Sequence, residues 1–145
     1  MYLVDTNVIS ARAPFRVPLP ELATWMDTHS AKLFLSVVTI AEIEDGIAKA
    51  KREGATRKSR DLNAWLGTVL HLYATRILPF DLATARIAGV LSDHARGQGH
   101  APGFADIMIA ATAQRNGLAI LTRNLRHFEP LGVPVHDPLN CLPEI

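Results

Sequence analysis

Short apolar runs separated by stretches of helical periodicity constrain this chain more than any other feature. Four runs read as strands, Tyr2–Asp5, Lys32–Val37, Ile77–Phe80 and Ala119–Thr122, and Val133–His136 reads as a short fifth. The stretches between them have the period of a helix. Residues 19–29 place Leu22, Trp25 and Met26 on one face, and Thr39–Lys51 spaces Ile40, Ile43 and Ile47 by three and four. Residues 57–75 carry a stripe of Leu62, Trp65, Leu66, Val69 and Tyr73, and residues 82–96 and 105–116 read as two more helices. Apolar strands that alternate with helices predict an α/β fold whose mostly parallel sheet is buried on both faces. In such sheets the ligand crevice lies beyond the carboxyl ends of the strands, where strand order reverses.

That rule directs attention to polar residues at strand ends. Asp5 directly follows an apolar strand, where an unpaired charge is costly unless donors or a metal ion offset it. The simpler role for it is to cap the turn that follows. Glu42 lies three residues after Thr39, the spacing of a capping box at the start of a helix, although the same first turn also faces the crevice. Asp106 falls near a helix start and reads as an N-cap, but the small-residue run after it, Ile107 to Ala113, would pack close to the sheet and push it into the crevice. Asp81 reads as an N-cap alone, and Glu44 and Asp45 as solvated. Asn124 lies just past the fourth strand, where an isolated Asn is ordinarily a turn residue. Three carboxylates crowded on one rim, with an amide beside them, repel one another unless protonated or neutralised, and an all-oxygen set without paired Cys or His suits magnesium or manganese better than zinc.

The bulk properties are compatible with this reading and exclude others. A length of 145 residues fits a single domain, 1–145, and 48% hydrophobic with 20% charged residues is the composition of a globular protein. A net charge of +1 provides no global basic field, so any nucleic-acid partner must be held by local patches. The stretch 48–60 has six basic residues and one acid, and with Arg12, Arg16, Arg115, Arg123 and Arg126 it is a candidate for phosphate contacts, against the plainer reading of a solvated helix face. The Pro-rich segment 10–20 predicts a surface loop near the crevice. Trp25 and Trp65 fall at core-like positions and read as packing residues. A lone cysteine, Cys141, excludes an intrachain disulfide, and Asp5 falls where a secretory signal would need its apolar core; both point to the cytoplasm, and no stretch is apolar enough to span a membrane.

Four motifs in order, VDTNVIS at the start, SVVTIAEIEDGI, DIMIAATA and AILTRNLRHF, resemble the PIN-domain ribonucleases, and among them the VapC-type toxins of toxin–antitoxin pairs, including the FitB-like branch. The resemblance implies an α/β/α sandwich, a magnesium-dependent endoribonuclease that acts on RNA, a homodimer, and a cognate antitoxin that inhibits it. Carried over by position, the acidic set falls on Asp5, Glu42 and Asp106, with Asp5 and Asp106 as metal ligands. The fourth position, often Asp in the family, is Asn124, and Thr122 matches a position that often holds a small hydroxyl. The residues leave three roles open for Glu42: general base, water positioning or metal ligand. Two alternatives remain. One is an inactive PIN-like binding module, to which only Asn124 points. The other is a dehalogenase-type phosphatase, disfavoured because Asn7 stands where a second Asp is needed.

Overall fold

A computed structural model describes all 145 residues. Five strands, β1 (Tyr2–Val4), β2 (Leu33–Ser36), β3 (Ile77–Leu78), β4 (Ala119–Leu121) and β5 (Val135–His136), form one sheet in the order β3-β2-β1-β4-β5, with every pairing parallel. Seven helices accompany it: α1 (Thr6–Ile9), α2 (Pro20–Thr28), α3 (Val37–Arg52), α4 (Thr56–Tyr73), α5 (Leu82–Gly97), α6 (Phe104–Arg115) and α7 (Leu125–Phe128). This is the α/β/α sandwich expected. None of the helices is long and apolar enough to cross a membrane.

Adjacent strand residues belong to opposite cores. Leu3 and Ile120 pack into a cluster with Leu91, Ile107, Ile109 and Phe128, drawn from α5, α6 and α7. Val4 and Leu121 face the other way, into a cluster with Val8, Met26, Ile43, Leu66 and Val69 from α1 to α4. The alternating side-chain period of a strand thus buries both sheet faces, which is why the strands read as continuous apolar runs. The segments 19–29, 39–51 and 57–75 are helical with their predicted faces inward, and the buried Trp25 donates its indole N–H to the Pro143 carbonyl at 3.2 Å.

The chain leaves β1 towards β2 and β3, then returns to β4 and β5 on the opposite side. Strand order therefore reverses between β1 and β4, and the crevice opens beyond Val4 and Leu121. The register pairs Tyr2, Leu3 and Val4 with Ala119, Ile120 and Leu121 and extends one step further, with the Asp5 N–H donating to the Leu121 carbonyl at 2.9 Å.

Several boundaries differ from those expected, for identifiable reasons. Asp5 is not in the strand: its side chain accepts from the Thr6 N–H and caps α1, a four-residue helix too short to give a periodic signal. The capping box at Thr39 and Glu42 does not form. The helix starts two residues earlier, because the Ser36 Oγ accepts from the Val38 N–H at 3.0 Å, and Thr39 is buried in the first turn. The apolar Val37, expected as the last residue of the strand Lys32–Val37, is helical, as is Val38. Gly103 occupies the N-cap of α6, so Asp106 sits in its first turn and not at the cap. Asp81 does cap α5: the Thr84 N–H and hydroxyl both donate to it, which holds its carboxyl below the usual range. The 10–20 segment contains a 3-10 turn, Ser10–Arg12, and Arg12 is not available for phosphate, because its guanidinium forms a two-pronged pair with Asp27 at 2.7 and 3.2 Å.

The cap assignment has a measurable consequence. In urea unfolding, Ser36→Ala is expected to cost about 1 kcal/mol, the usual worth of an N-cap side chain. Glu42→Gln is expected to stay within about 0.5 kcal/mol of the native chain, since no cap depends on it.

Candidate active site

Asp5 is the buried centre of the crevice, with 5% of its surface exposed. Both carboxylate oxygens are occupied. Oδ1 accepts from the Thr6 N–H at 2.8 Å and Oδ2 accepts from the Thr122 hydroxyl at 2.8 Å. Thr122 is the residue after β4, fully buried, and it is a junction: its Oγ1 also accepts from the Asn124 N–H at 3.0 Å and lies 3.4 Å from the Asn7 amide nitrogen. Asn7 in turn accepts from the Arg123 N–H at 3.2 Å, so the two strand ends of the switch point are laced together by side chains.

Glu42 projects from α3, where Oε1 accepts from the Thr6 hydroxyl at 2.7 Å; the same hydroxyl is hydrogen-bonded to that of Thr39 at 3.0 Å. Glu42 itself is exposed. Asp106 reaches the rim from the first turn of α6, and its Oδ2 lies 3.3 Å from Nδ1 of His127. Asn124 is at the same rim but exposed, and its side chain makes no hydrogen bond; it acts on the site through its backbone, by way of Thr122.

Electrostatics tie the carboxylates together. Burial pushes the Asp5 carboxyl up from 3.8 to about 6; the Thr122 and Thr6 hydrogen bonds oppose this, while the negative charges of Asp106 and Glu42 add to it. Burial also raises Asp106, and His127 partly offsets the rise. The acids therefore feel one another, but no three Asp, Glu, His or Cys side chains converge into a ready-made metal cage. That donor set fits a hard cation which binds through one or two carboxylates and keeps much of its water, the habit of magnesium, and it does not fit a closed tetrahedral zinc site.

Three participants escaped sequence reasoning: Thr6, Asn7 and His127. For the first two a signal existed, since they follow Asp5 directly and a buried carboxylate needs donors. His127 was not legible, because only packing of α7 against α6 brings it to Asp106.

Alongside the rim runs a groove of about 460 Å³, from Thr6 and Glu42 along α3 and α4. Ile43, Ile47, Leu62 and Trp65 line it, and Phe15 stands at its wall, 61% exposed and at φ 71°, a backbone conformation that is unfavourable for a bulky residue.

Comparison with known proteins extends these observations. The PIN domain family profile matches residues 2–131. The chain is 36% identical to the VapC ribonuclease Y4jK of Sinorhizobium fredii over 139 residues, 95% of this chain and 97% of that protein. It is 34% identical to the toxin FitB of Neisseria gonorrhoeae over 143 residues, 95% and 98% of the two chains. The crystal structure of FitAcB from Neisseria gonorrhoeae superposes with a TM-score of 0.84 at 35% identity, covering 96% of this chain and 99% of that one.

The raised Asp5 carboxyl has a defined effect on stability. In the unfolded chain it titrates near 3.8, and in the folded chain near 6, so between those values the native state binds the extra proton. Stability from this group is full below about pH 4 and falls as pH rises through about 6, by about 3 kcal/mol in all. Asp5→Asn removes the charge and is expected to raise the urea midpoint at pH 7.5 in chelator, with the gain shrinking as pH approaches 4.

Proposed function

We propose that this chain, which belongs to the PIN-domain family, is a metal-dependent endoribonuclease and the toxin of a toxin–antitoxin pair. One observation supports this reading most: a carboxylate buried at the switch point of a parallel sheet, clamped by Thr122 and the Thr6 N–H, with Asp106 and Glu42 close enough to raise its pKa. Asp81, a structural helix cap, is held by Thr84 and has no acid acting on its charge. Asp5 is surrounded by further acids, an arrangement that gains from a divalent ion and from little else.

Asp5 and Asp106 are the residues that would hold magnesium, or manganese in its place. When bound, the ion supplies Lewis-acid polarisation of the phosphodiester. The chain's own groups supply orientation. Thr122 and the Thr6 N–H restrain both oxygens of Asp5, so its lone pairs point in fixed directions. His127 restrains Asp106 from the opposite flank. Glu42 is the most exposed of the three acids and is held by a single hydroxyl, which leaves Oε2 free to accept a proton or orient a water at the scissile phosphate. Asn124 is not needed for the charge balance, so the departure at that position does not argue for an inactive module.

The apolar groove beside Glu42 is suited to a protein segment: an amphipathic stretch of an antitoxin laid along Ile43, Ile47, Leu62 and Trp65 would bury apolar surface and close the rim.

Purified protein is expected to cleave RNA with magnesium, and to stop with chelator and in Asp5→Asn or Asp106→Asn. An Asn variant that stays folded and fully active removes the assignment. Thr122→Val is expected to cost about 10- to 100-fold, the usual loss for a partner that orients a ligand. In thermal melts, magnesium should raise the Tm of the native chain and leave that of Asp5→Asn unmoved.

A further inference from the structure

The charge of Asp106 acts on Asp5, and the residue also forms a wall of a separate cavity of about 260 Å³, lined also by His100, Arg126 and His127, with prolines and small residues making up the rest. This cavity differs in chemistry from the groove on the Glu42 flank, where Arg16, Lys49 and Lys58 stand with Glu42 and Glu53 around an apolar floor of Ile43, Ile47, Leu62 and Trp65. Here there is one acid against three basic side chains, and that acid is already engaged by Nδ1 of His127.

The donors of this cavity are uncommitted. Arg12, Arg57, Arg60 and Arg96 each pair with an aspartate. The side chain of Arg126, like those of Arg16, Arg115 and Arg123, has no ion-pair or hydrogen-bond partner in the chain, and it is the one of these that lines this cavity. The other ring nitrogen of His127 and the imidazole of His100 also make no hydrogen bond within the chain. A guanidinium presents a planar fork of donors that matches two oxygens of a phosphate, and imidazoles add single donors at its sides. Because the cavity shares Asp106 with the acidic rim, an anion seated in it lies next to whatever group the rim acts on.

We propose that this cavity holds the RNA phosphate neighbouring the scissile one, with Arg126 as its principal cation and His100 and His127 as flanking donors. The inference builds on the ribonuclease reading and adds a direction to it. The RNA backbone passes over Asp106 towards α7, away from the apolar groove, so substrate and a groove-bound protein segment contact different flanks. The scarcity of apolar lining favours a nucleic-acid backbone over a protein side chain here.

The test measures binding and not turnover. A short fluorescein-labelled single-stranded RNA is titrated in chelator against the full chain with Asp5→Asn, by anisotropy at several salt concentrations. Adding Arg126→Gln is expected to weaken binding about tenfold, the range for a lost hydrogen bond to a charged group, and to reduce the slope of log K against log salt by about 0.7, one phosphate contact on a single strand. His100→Gln should act in the same direction but less. Lys32→Gln, at the opposite end of the strands, should change neither quantity. RNA binding that is indifferent to Arg126 and His100 overturns this inference alone, as does an equal loss in Lys32→Gln. Antitoxin affinity that falls in Arg126→Gln while RNA affinity holds assigns the cavity to the protein partner and also overturns it. No RNA binding by the Asp5→Asn parent in chelator overturns this inference alone; the ribonuclease reading falls instead if the native chain fails to cleave RNA with magnesium.

Discussion

A single hydrogen bond, from the Thr122 hydroxyl to Asp5, organises the functional end of this protein. It joins residues 117 positions apart and spans the one place in the sheet where strand order reverses. A carboxylate at 5% exposure would be a liability without donors, and Thr122 with the Thr6 N–H makes its burial tolerable without neutralising it. The charge that remains is what the proposed cation would neutralise. The same two threonines reach outward: Thr122 receives the Asn124 N–H, and Thr6 holds Glu42. The rim is therefore built from the inside, with β1 and β4 as its frame.

Stability and function pull in opposite directions here. Two cores of alternating strand residues hold the sheet, and at its carboxyl edge the fold gives up part of that stability to keep Asp5 charged at neutral pH. The acids are held short of a closed cage. Under the proposed function such a site would be completed by a divalent cation bound through one or two carboxylates. The two flanks of the rim then divide by chemistry: a groove along α3 and α4 with an apolar floor and charges of both signs, and a basic cavity at the join of α6 and α7.

Much of this was legible from residue order. Alternating short apolar runs and 3.6-period stripes determined an α/β sandwich, because strands of two to four residues with apolar side chains on both sides need helices over both faces. Strand-end placement singled out Asp5, and the ordered motifs added Glu42, Asp106 and Asn124. What residue order could not decide was local competition between neighbours. Ser36 took the cap that the spacing of Thr39 and Glu42 advertised, and Gly103 took the one expected at Asp106. A cap is set by which backbone N–H groups are left over once strand pairing ends, and pairing ended at Ser36 and not beyond Val37.

Only the tertiary structure decided which polar groups meet. Thr6, Asn7, Thr122 and His127 acquire their roles from the parallel register of β1 with β4 and from the packing of α7 on α6, contacts more than a hundred residues apart in the case of Asp5 and Thr122. It also withdrew Arg12 from the pool of free cations by setting it against Asp27, and left Arg126 unpaired beside the rim. Periodicity is local and survives in a linear string. Hydrogen-bond partnership across a switch point depends on the register of strands that are neighbours in space alone.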